Sequence, residues 1–132
     1  MTPNSIAGAR YVSFTSFRRD GRPVSTPVWI APLPDGAIGF TTESEAWKVK
    51  RVRNDPRVTV QPCTVRGRLL EGTTAISGTA TVEIGDGYAA VEAAIGAKYG
   101  FQFRMVMFSG WLREKFGRGS AGDAAIRIVL DD

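Results

Sequence analysis

The sequence has 132 residues, a mass of 14.3 kDa and ordinary proportions of hydrophobic (43%) and charged (23%) residues, which predicts one globular domain over residues 1–132. There is no histidine and one cysteine, so histidine-dependent catalysis, a metal site built on histidine or cysteine clusters, and an internal disulfide are excluded. No run approaches the roughly 20 apolar residues of a membrane span, and residues 1–10 lack the apolar core of a signal peptide. We therefore expect a soluble, cytoplasmic protein, either a binding or structural module or an enzyme that borrows a cofactor.

Positive charge is concentrated in one window of the chain. Seventeen Lys and Arg against thirteen Asp and Glu give a net charge of +4. The window from Lys48 to Arg68 holds seven basic residues and one acidic residue, Asp55, whereas the remainder is slightly acidic. Such a field favours an anionic partner: a phosphorylated small molecule, nucleic acid or an anionic surface.

Turn signals divide most of the chain into short strands. Asp20-Gly21 and Asp35-Gly36 suit tight turns between segments that are rich in β-branched and aromatic residues. Because Pro27 and Pro32 cannot donate ladder hydrogen bonds, we expect an edge position or a bulge in the second strand. The six predicted strands cover residues 10–18, 24–33, 37–42, 58–64, 75–84 and 124–130.

A short basic helix is predicted over residues 45–54. The sequence Asn54-Asp55-Pro56 stops it, because the residue before a proline disfavours helical geometry. Residues 42–45 have a capping-box pattern, with Ser44 as an alternative cap.

A second helix is predicted over residues 88–99, with Gly100 as its C′ residue. Residues 101–116 also have a helical pattern, interrupted at 109–110, and residues 118–122 form a glycine-rich link before the last strand.

This order of elements predicts a mainly β, α+β domain. Early strands form hairpins and the last strand returns after the helices, which suits a small barrel with few exposed edges. A doubly wound parallel sheet is not expected because helices do not alternate with strands, and no glycine-rich nucleotide motif is present.

The most informative segment is 39–60, where a strand leads through Thr41 and Thr42 into the basic helix. Lys48 and Arg51 stand about one turn apart on that helix, and a helix start favours an anion. The segment can therefore bind a phosphate. The same pattern is also typical of a solvated helix face preceded by capping threonines, and the pattern alone does not decide between the two.

Four segments, in this order, resemble the flavin-binding split β-barrel superfamily typified by pyridoxamine 5′-phosphate oxidase: STPVW (25–29), FTT (40–42), WKVKRVRNDPRV (47–58) and KYG (98–100). Within the superfamily the chain most resembles small enzymes that use coenzyme F420, a deazaflavin. The resemblance covers residues 11–99 and the final strand, and the strand–helix–NDPRV segment is its specific part.

The resemblance implies a six-stranded antiparallel split β-barrel with two or three short helices, and a homodimer with cofactor sites at the dimer interface. The implied cofactor-binding residues are Thr26, Pro27 and Val28 along the ring, mostly through backbone groups, Thr41 and Thr42 at the ring-to-ribityl region, Lys48 and Arg51 at the phosphate, and Arg68 at the tail or ring. Without the resemblance, Cys63 is a small buried residue, and Trp29, Trp47 and Trp111 are core or interface residues.

Our functional hypothesis is an F420H2-dependent reductase that transfers hydride to an electron-poor organic substrate. Hydride transfer needs no side-chain nucleophile, which agrees with the absence of histidine, and no catalytic residue is assigned. The final segment IRIVLDD lacks the Trp and Arg pair of the pyridoxal-forming oxidases, so we do not expect vitamin B6 oxidation. The arginine-rich window suits the long anionic tail of F420 better than the compact phosphate of FMN, which is the alternative cofactor.

The sequence is also compatible with two other classes of function. A cofactor-binding protein without turnover would have the same groove with a closed substrate side. A nucleic-acid-binding barrel would use the basic window, but that window lacks alternating aromatic residues on a strand and the net charge is modest, so we expect no nucleic-acid partner.

Overall fold

The strands and helices follow the predicted order, but the second predicted strand is divided, the first helix begins later and the second helix is longer than predicted. A computed structural model describes Ile6, residues 8–108 and residues 123–131. The elements are β1 (Tyr11–Phe17), β2 (Pro23–Val28), β3 (Ala31–Pro32), β4 (Ile38–Thr42), α1 (Trp47–Asn54), β5 (Arg57–Cys63), β6 (Ile76–Glu83), α2 (Asp86–Phe108) and β7 (Ala124–Leu130).

All seven strands belong to one antiparallel sheet, in the order β2-β1-β5-β6-β7-β4-β3. The edge strands β2 and β3 are separated along the chain by Trp29 and Ile30 alone. In a flat sheet these edges would lie roughly 29 Å apart, whereas two linking residues span about 11 Å at most. The sheet must therefore curve until its edges approach each other, so the mainly β class and the barrel-like architecture are confirmed.

The strand count is seven rather than six because the predicted strand over 24–33 was wrong as a single element. It breaks after Val28, and the chain crosses from one edge of the sheet to the other. Pro27 and Pro32 lie on the two edge strands, as expected for residues that lack a backbone donor.

Two hydrophobic clusters hold the sheet and helices together. The first fills the concave side of the sheet, where the rings of Phe14 and Phe40 meet edge to face at 4.9 Å. Val49 and Val52 anchor α1 in this cluster. The second cluster packs α2 against β3, β4 and β7, and its buried members are Ala31, Leu33, Ala37, Val91, Ile95, Tyr99 and Ala125.

The predicted hairpin turns are confirmed. Gly21 and Gly36 have φ values of 89° and 88°, which favour glycine, and their N–H groups donate to the carbonyls of Arg18 and Leu33.

The predicted start of α1 was wrong. The N-cap is Ala46, which offers no side-chain hydrogen bond. Ser44 instead contacts Asp123, which precedes β7: the Ser44 hydroxyl donates to Oδ2 at 2.7 Å and its N–H donates to Oδ1 at 2.6 Å. Ser44 therefore binds a carboxylate that is distant in sequence, instead of capping the helix as the local pattern predicts.

Gly100 is not a helix terminus. Helix α2 continues through it to Phe108, so the predicted break between two helices was wrong over this range. The predicted interruption at 109–110 and the link over 118–122 lie outside the described residues.

Lys98 and Tyr99 fasten the crossover between β2 and β3. The Lys98 ammonium donates to the carbonyls of Ala9 and Ile30 at 2.6 Å each. The Tyr99 hydroxyl donates to Arg10 O at 2.7 Å and accepts from the Ile30 N–H at 3.1 Å. The Trp29 ring stacks on the Tyr99 ring at 4.5 Å, so the crossover that closes the sheet is fixed by α2.

Candidate functional site

Five of the eight predicted site residues lie at the strand edges beside a split in the sheet, where β2 diverges from β4. Strand β3 pairs with β4 only through Ala31 with Gly39 and Pro32 with Ile38. Before Ala31 the chain leaves β4, and β2 pairs with β1 alone. Among the described strands, one edge of β2, at Thr26, Pro27 and Val28, therefore has no partner, and neither does one edge of β4 at Thr41 and Thr42.

A group of basic side chains lies at the other end of β2. Arg51 Nε donates to the hydroxyl of Ser16 on β1 at 2.7 Å, and Ser16 pairs with Val24 on β2. Lys48 stands three residues before Arg51 on α1, so both side chains are on one face of the helix. The predicted ring residues, 26–28, follow Val24 by two to four positions, which is a distance of roughly 7–14 Å along the strand.

Burial acts on the charge of both cations. Partial burial, followed by the neighbouring charge of Arg51, lowers the pKa of Lys48 below its usual value. Burial, followed by the charge of Arg18, lowers the pKa of Arg51. A bound anion would raise both pKa values, because an opposite charge favours the charged form of a base.

No carboxylate neutralises this group within the described part of the chain. Glu43 and Glu45 precede α1 and are exposed, but neither forms an ion pair with Lys48 or Arg51. The ion pairs that the described residues do form lie elsewhere: Arg22 with Asp20, Arg57 with Asp55, and Arg127 with Asp35. The first turn of α1 has no acidic residue and no side-chain cap, so the helix dipole adds to the positive potential.

Thr26 faces the interior rather than the split. It pairs with Phe14, and directly opposite residues of an antiparallel pair point to the same face of the sheet. Its Oγ1 is buried and has no hydrogen-bond partner among the described residues. The backbone of Thr26, rather than its hydroxyl, is therefore the part of this residue at the edge of β2.

Arg68 lies at the opposite end of β2 from Lys48 and Arg51. It belongs to a turn in which Gly67 N–H donates to Thr64 O and Arg68 N–H donates to Thr64 Oγ1. A Cβ on Gly67 would lie 3.7 Å from Pro27 Cδ, so this turn lies close to Pro27. The role of Arg68 at the tail or ring of a cofactor stays a prediction.

The remaining single-residue predictions had mixed outcomes. Cys63 is 4% exposed, as predicted for a small buried residue, and burial raises the pKa of its thiol. Trp29 is half-buried against Tyr99. Trp47 is 72% exposed, so it is not a core residue of this chain. Trp111 lies outside the described residues.

Sequence reasoning missed Ser16, Arg18 and the structural role of Lys98 and Tyr99. The signal for Ser16 was present, because Val12, Phe14 and Ser16 alternate on the buried face and a serine at the third position needs a partner. Nothing local identifies that partner as Arg51, which is 35 residues away.

The structure resembles several solved proteins at low sequence identity. A conserved hypothetical protein from Mycobacterium tuberculosis aligns over 100% of this chain and 82% of its own, with a TM-score of 0.64 and 21% identity. An F420 reductase aligns over 98% of this chain and 93% of its own, with a TM-score of 0.63 and 15% identity. The heme storage protein HutZ from Vibrio cholerae aligns over 93% and 82%, with a TM-score of 0.64 and 11% identity. At these identities the likeness shows the fold.

The sequence itself matches the family model for pyridoxamine 5′-phosphate oxidase over residues 4–130. The chain belongs to the pyridoxamine 5′-phosphate oxidase family. In this oxidoreductase family the fold binds flavins or deazaflavins, which fits a domain without histidine. No protein of curated function matches the sequence.

Within the described residues, this family member has neither a membrane-spanning helix nor a metal-binding cluster of side chains. No helix there is long and apolar enough to cross a membrane. No cluster of three or more Asp, Glu or Cys side chains in that part of the chain could hold a metal ion.

Proposed function

We propose that this protein is an F420H2-dependent reductase acting on a small, electron-poor organic substrate. When bound, reduced F420 supplies a hydride from C5 of its deazaflavin ring. The chain's own residues would bind the anionic end, orient the ring and exclude water, and no side chain is assigned as a catalytic acid or base.

The observation that carries this proposal is the unpaired basic group at one end of the split. Lys48 and Arg51 are partly buried, share one helix face and have no carboxylate partner in the described structure. Holding two such cations together without an anion is unfavourable, because burial and like charge both act against the charged forms. A bound phosphate would reverse this, and the first amides of α1 would add hydrogen bonds.

The free edge of β2 suits the flat ring. Backbone groups that face no strand can hydrogen-bond the heteroatoms of a ring, and Pro27 has no N–H to leave unpaired there. The distance along β2 from this edge to the basic group matches the length of the sugar-alcohol chain that joins the ring to the phosphate. Thr41 and Thr42 lie on the facing edge of β4, where their hydroxyls could reach that chain.

Charge favours F420 over FMN. The basic residues continue past Arg51 through Arg53, and Arg57 already has a partner in Asp55. A phospholactyl-oligoglutamate tail offers several carboxylates to such a surface, whereas FMN ends at its phosphate. The F420 reductase of similar fold is consistent with this choice.

The heme storage neighbour does not suggest heme binding by this chain. A histidine is a common protein ligand to heme iron, and this sequence has none. Cys63, another potential ligand type, is buried within β5.

The proposal is tested by titrating the purified protein with F420 and, separately, with FMN while following ring fluorescence. We expect a dissociation constant for F420 in the micromolar range or tighter, and weaker binding of FMN. Lys48→Ala should weaken F420 binding at least about tenfold, since a charge-assisted contact is lost. Lys50→Ala is the matched control, because Lys50 is exposed beside Trp47 on the same helix and should leave the affinity unchanged.

Binding of neither cofactor would contradict the proposal, and tight binding of FMN alone would replace F420 with FMN. Steady-state oxidation of F420H2 with enones or quinones then separates a reductase from a cofactor-binding protein without turnover. A folded protein that binds F420 but oxidises F420H2 with none of these acceptors would support the second alternative.

A further inference from the structure

The hydroxyl of Ser16 determines which atoms of Arg51 are free to bind an anion. Ser16 is 0% exposed and sits at the end of β1, and its Oγ takes the Nε–H of Arg51 at 2.7 Å. The guanidinium is planar, so fixing Nε fixes the direction of the two terminal nitrogens. Those nitrogens have no carboxylate partner among the described residues.

Arg18 lies on the same side of the sheet as Ser16. It follows Ser16 by two residues, and its N–H donates to Arg22 O at 2.9 Å, so the strand geometry continues to Arg18. Alternate residues of a strand share a face, which puts the Arg18 side chain on the Ser16 side. The charge of Arg18 is felt at Arg51, where it contributes to the lowered pKa.

We infer that Ser16 is a positioning residue that aims the terminal nitrogens of Arg51 at the phosphate of the bound cofactor, with Arg18 from the β1–β2 hairpin as a third cation of that anion site. The inference rests on the proposed function for the identity of the ligand. The anion site itself is built from residues on β1 and α1 and does not depend on which cofactor carries the phosphate.

An alternative role for Ser16 is purely structural, as a buried hydroxyl that satisfies an arginine. The two roles differ in what they predict for ligands with and without a phosphate. A structural role affects folding stability and all ligands alike. A positioning role affects only ligands that carry the anion.

The test compares F420 with the deazaflavin that keeps the sugar-alcohol chain but lacks the phosphate and tail, and FMN with riboflavin, by fluorescence titration. In the wild type we expect the phosphorylated member of the preferred pair to bind more tightly. Ser16→Ala should weaken binding of the phosphorylated member about tenfold and binding of the phosphate-free member less than about twofold. This is the loss expected when the guanidinium no longer points at the phosphate and a charge-assisted hydrogen bond is lost. Ser16→Thr keeps the hydroxyl and should restore most of the preference.

Two further variants keep the test valid if Ser16→Ala fails to fold. Arg51→Lys retains the charge but loses the Nε donor and the planar fork, and it should reduce the phosphate preference as Ser16→Ala does. Arg57→Lys, at an exposed position whose side chain already pairs with Asp55, is the control and should leave the phosphate preference unchanged. Arg18→Gln should reduce the preference about threefold, since its side chain is exposed and screened.

A second readout separates this inference from the proposed function. The Nε–H resonance of Arg51 in ¹⁵N spectra should be protected from exchange in the wild type and not in Ser16→Ala, and inorganic pyrophosphate should shift it only in the wild type. If no cofactor binds but pyrophosphate produces this shift, the proposed function fails and the anion site stands. If F420 or FMN binds and Ser16→Ala retains the full phosphate preference, the inference is overturned and the proposed function stands. An unprotected Nε–H in the wild type would also overturn it.

Discussion

Lys98 illustrates how one side chain can connect distant segments at an energetic cost. Its ammonium donates to Ala9 O and Ile30 O, and so ties α2 to the segment before β1 and to the crossover. It also lies 5.0 Å from the centre of the Tyr99 ring. Burial nevertheless lowers the pKa of Lys98 to about 8. The lysine therefore contributes contacts that fix the crossover while its charge opposes burial.

This lowered pKa predicts a pH dependence of stability. The unfolded chain keeps the Lys98 proton up to a pKa of about 10.4, whereas the folded chain releases it from about pH 8. Between these values the unfolded state binds more protons, so the contribution of Lys98 to the free energy of unfolding rises with pH. The rise is at most about 1.4 kcal/mol per pH unit and is reduced by solvent, because the side chain is only partly buried.

The measurement is urea denaturation of the wild type and of Lys98→Met from pH 7 to pH 9.5. The wild type should gain stability relative to the variant across this range. Other groups that titrate there, such as the Cys63 thiol, are common to both proteins and cancel in the difference. A difference that stays constant, or that shrinks as pH rises, would show that Lys98 is not desolvated in the fold.

At the scale of elements, Gly39 sets how closely α2 approaches the sheet. A Cβ on Gly39 would lie 3.2 Å from Ile126 O and 3.2 Å from Cγ1 of Val91 on α2. Gly39→Ala is therefore expected to lower the free energy of unfolding by about 1–3 kcal/mol, as for other overpacked sites. Adding Val91→Ala removes one of the two contacts, so the double variant should lose less than the sum of the single variants by about 0.5 kcal/mol or more.

The matched control is Gly96→Ala on α2, where a Cβ meets nothing within 4 Å. There alanine should stabilise the protein by up to about 1 kcal/mol, because it is the better helix former. Urea denaturation at neutral pH measures the free energy of unfolding of the wild type and the four variants. Additive losses in the double variant would mean that Gly39 is not limited by contact with Val91.

The elements that sequence patterns predict well are those whose signals are local. Turn residues such as Gly21 and Gly36 and the alternation of β-branched residues placed most strands within one or two positions. The patterns failed where a residue distant in sequence forms the contact. Ser44 donates to Asp123 and therefore does not cap α1. Gly100 has the residue type of a helix end, yet α2 continues through it. The crossover at Trp29 and Ile30 is fixed by α2, and nothing near it in sequence predicts the break.

For the candidate site, the sequence predicts the residue types and the structure adds their arrangement. Lys48 and Arg51 are predictable because their spacing of three lies within one helix. The split between β2 and β4 is not predictable from periodicity, since it depends on where β3 stops pairing with β4. Ser16 and Arg18 join the site through the curvature of the whole sheet, which brings the end of β1 under α1.

At the scale of the whole molecule, the surface beside Pro27 is unusually apolar. Val65, Leu69 and Leu70 are 60%, 49% and 43% exposed and belong to the segment between β5 and β6. Gly67 of the same segment abuts Pro27, where we propose that the ring lies. The family resemblance implies a homodimer with its cofactor sites at the interface, and exposed apolar side chains next to the proposed ring site suit such an interface.

We therefore predict that the protein sediments with a mass of twice 14.3 kDa at micromolar concentration. Leu69→Asp should shift it toward monomer and weaken cofactor binding in parallel, because a charge would be buried against the second copy and half of each site would be lost. Ile84→Asp, at a 65% exposed apolar position between β6 and α2, is the control and should leave both properties unchanged. Analytical ultracentrifugation and cofactor titration of the same samples test the link: a monomeric Leu69→Asp variant with wild-type affinity would mean that each site is complete within one chain.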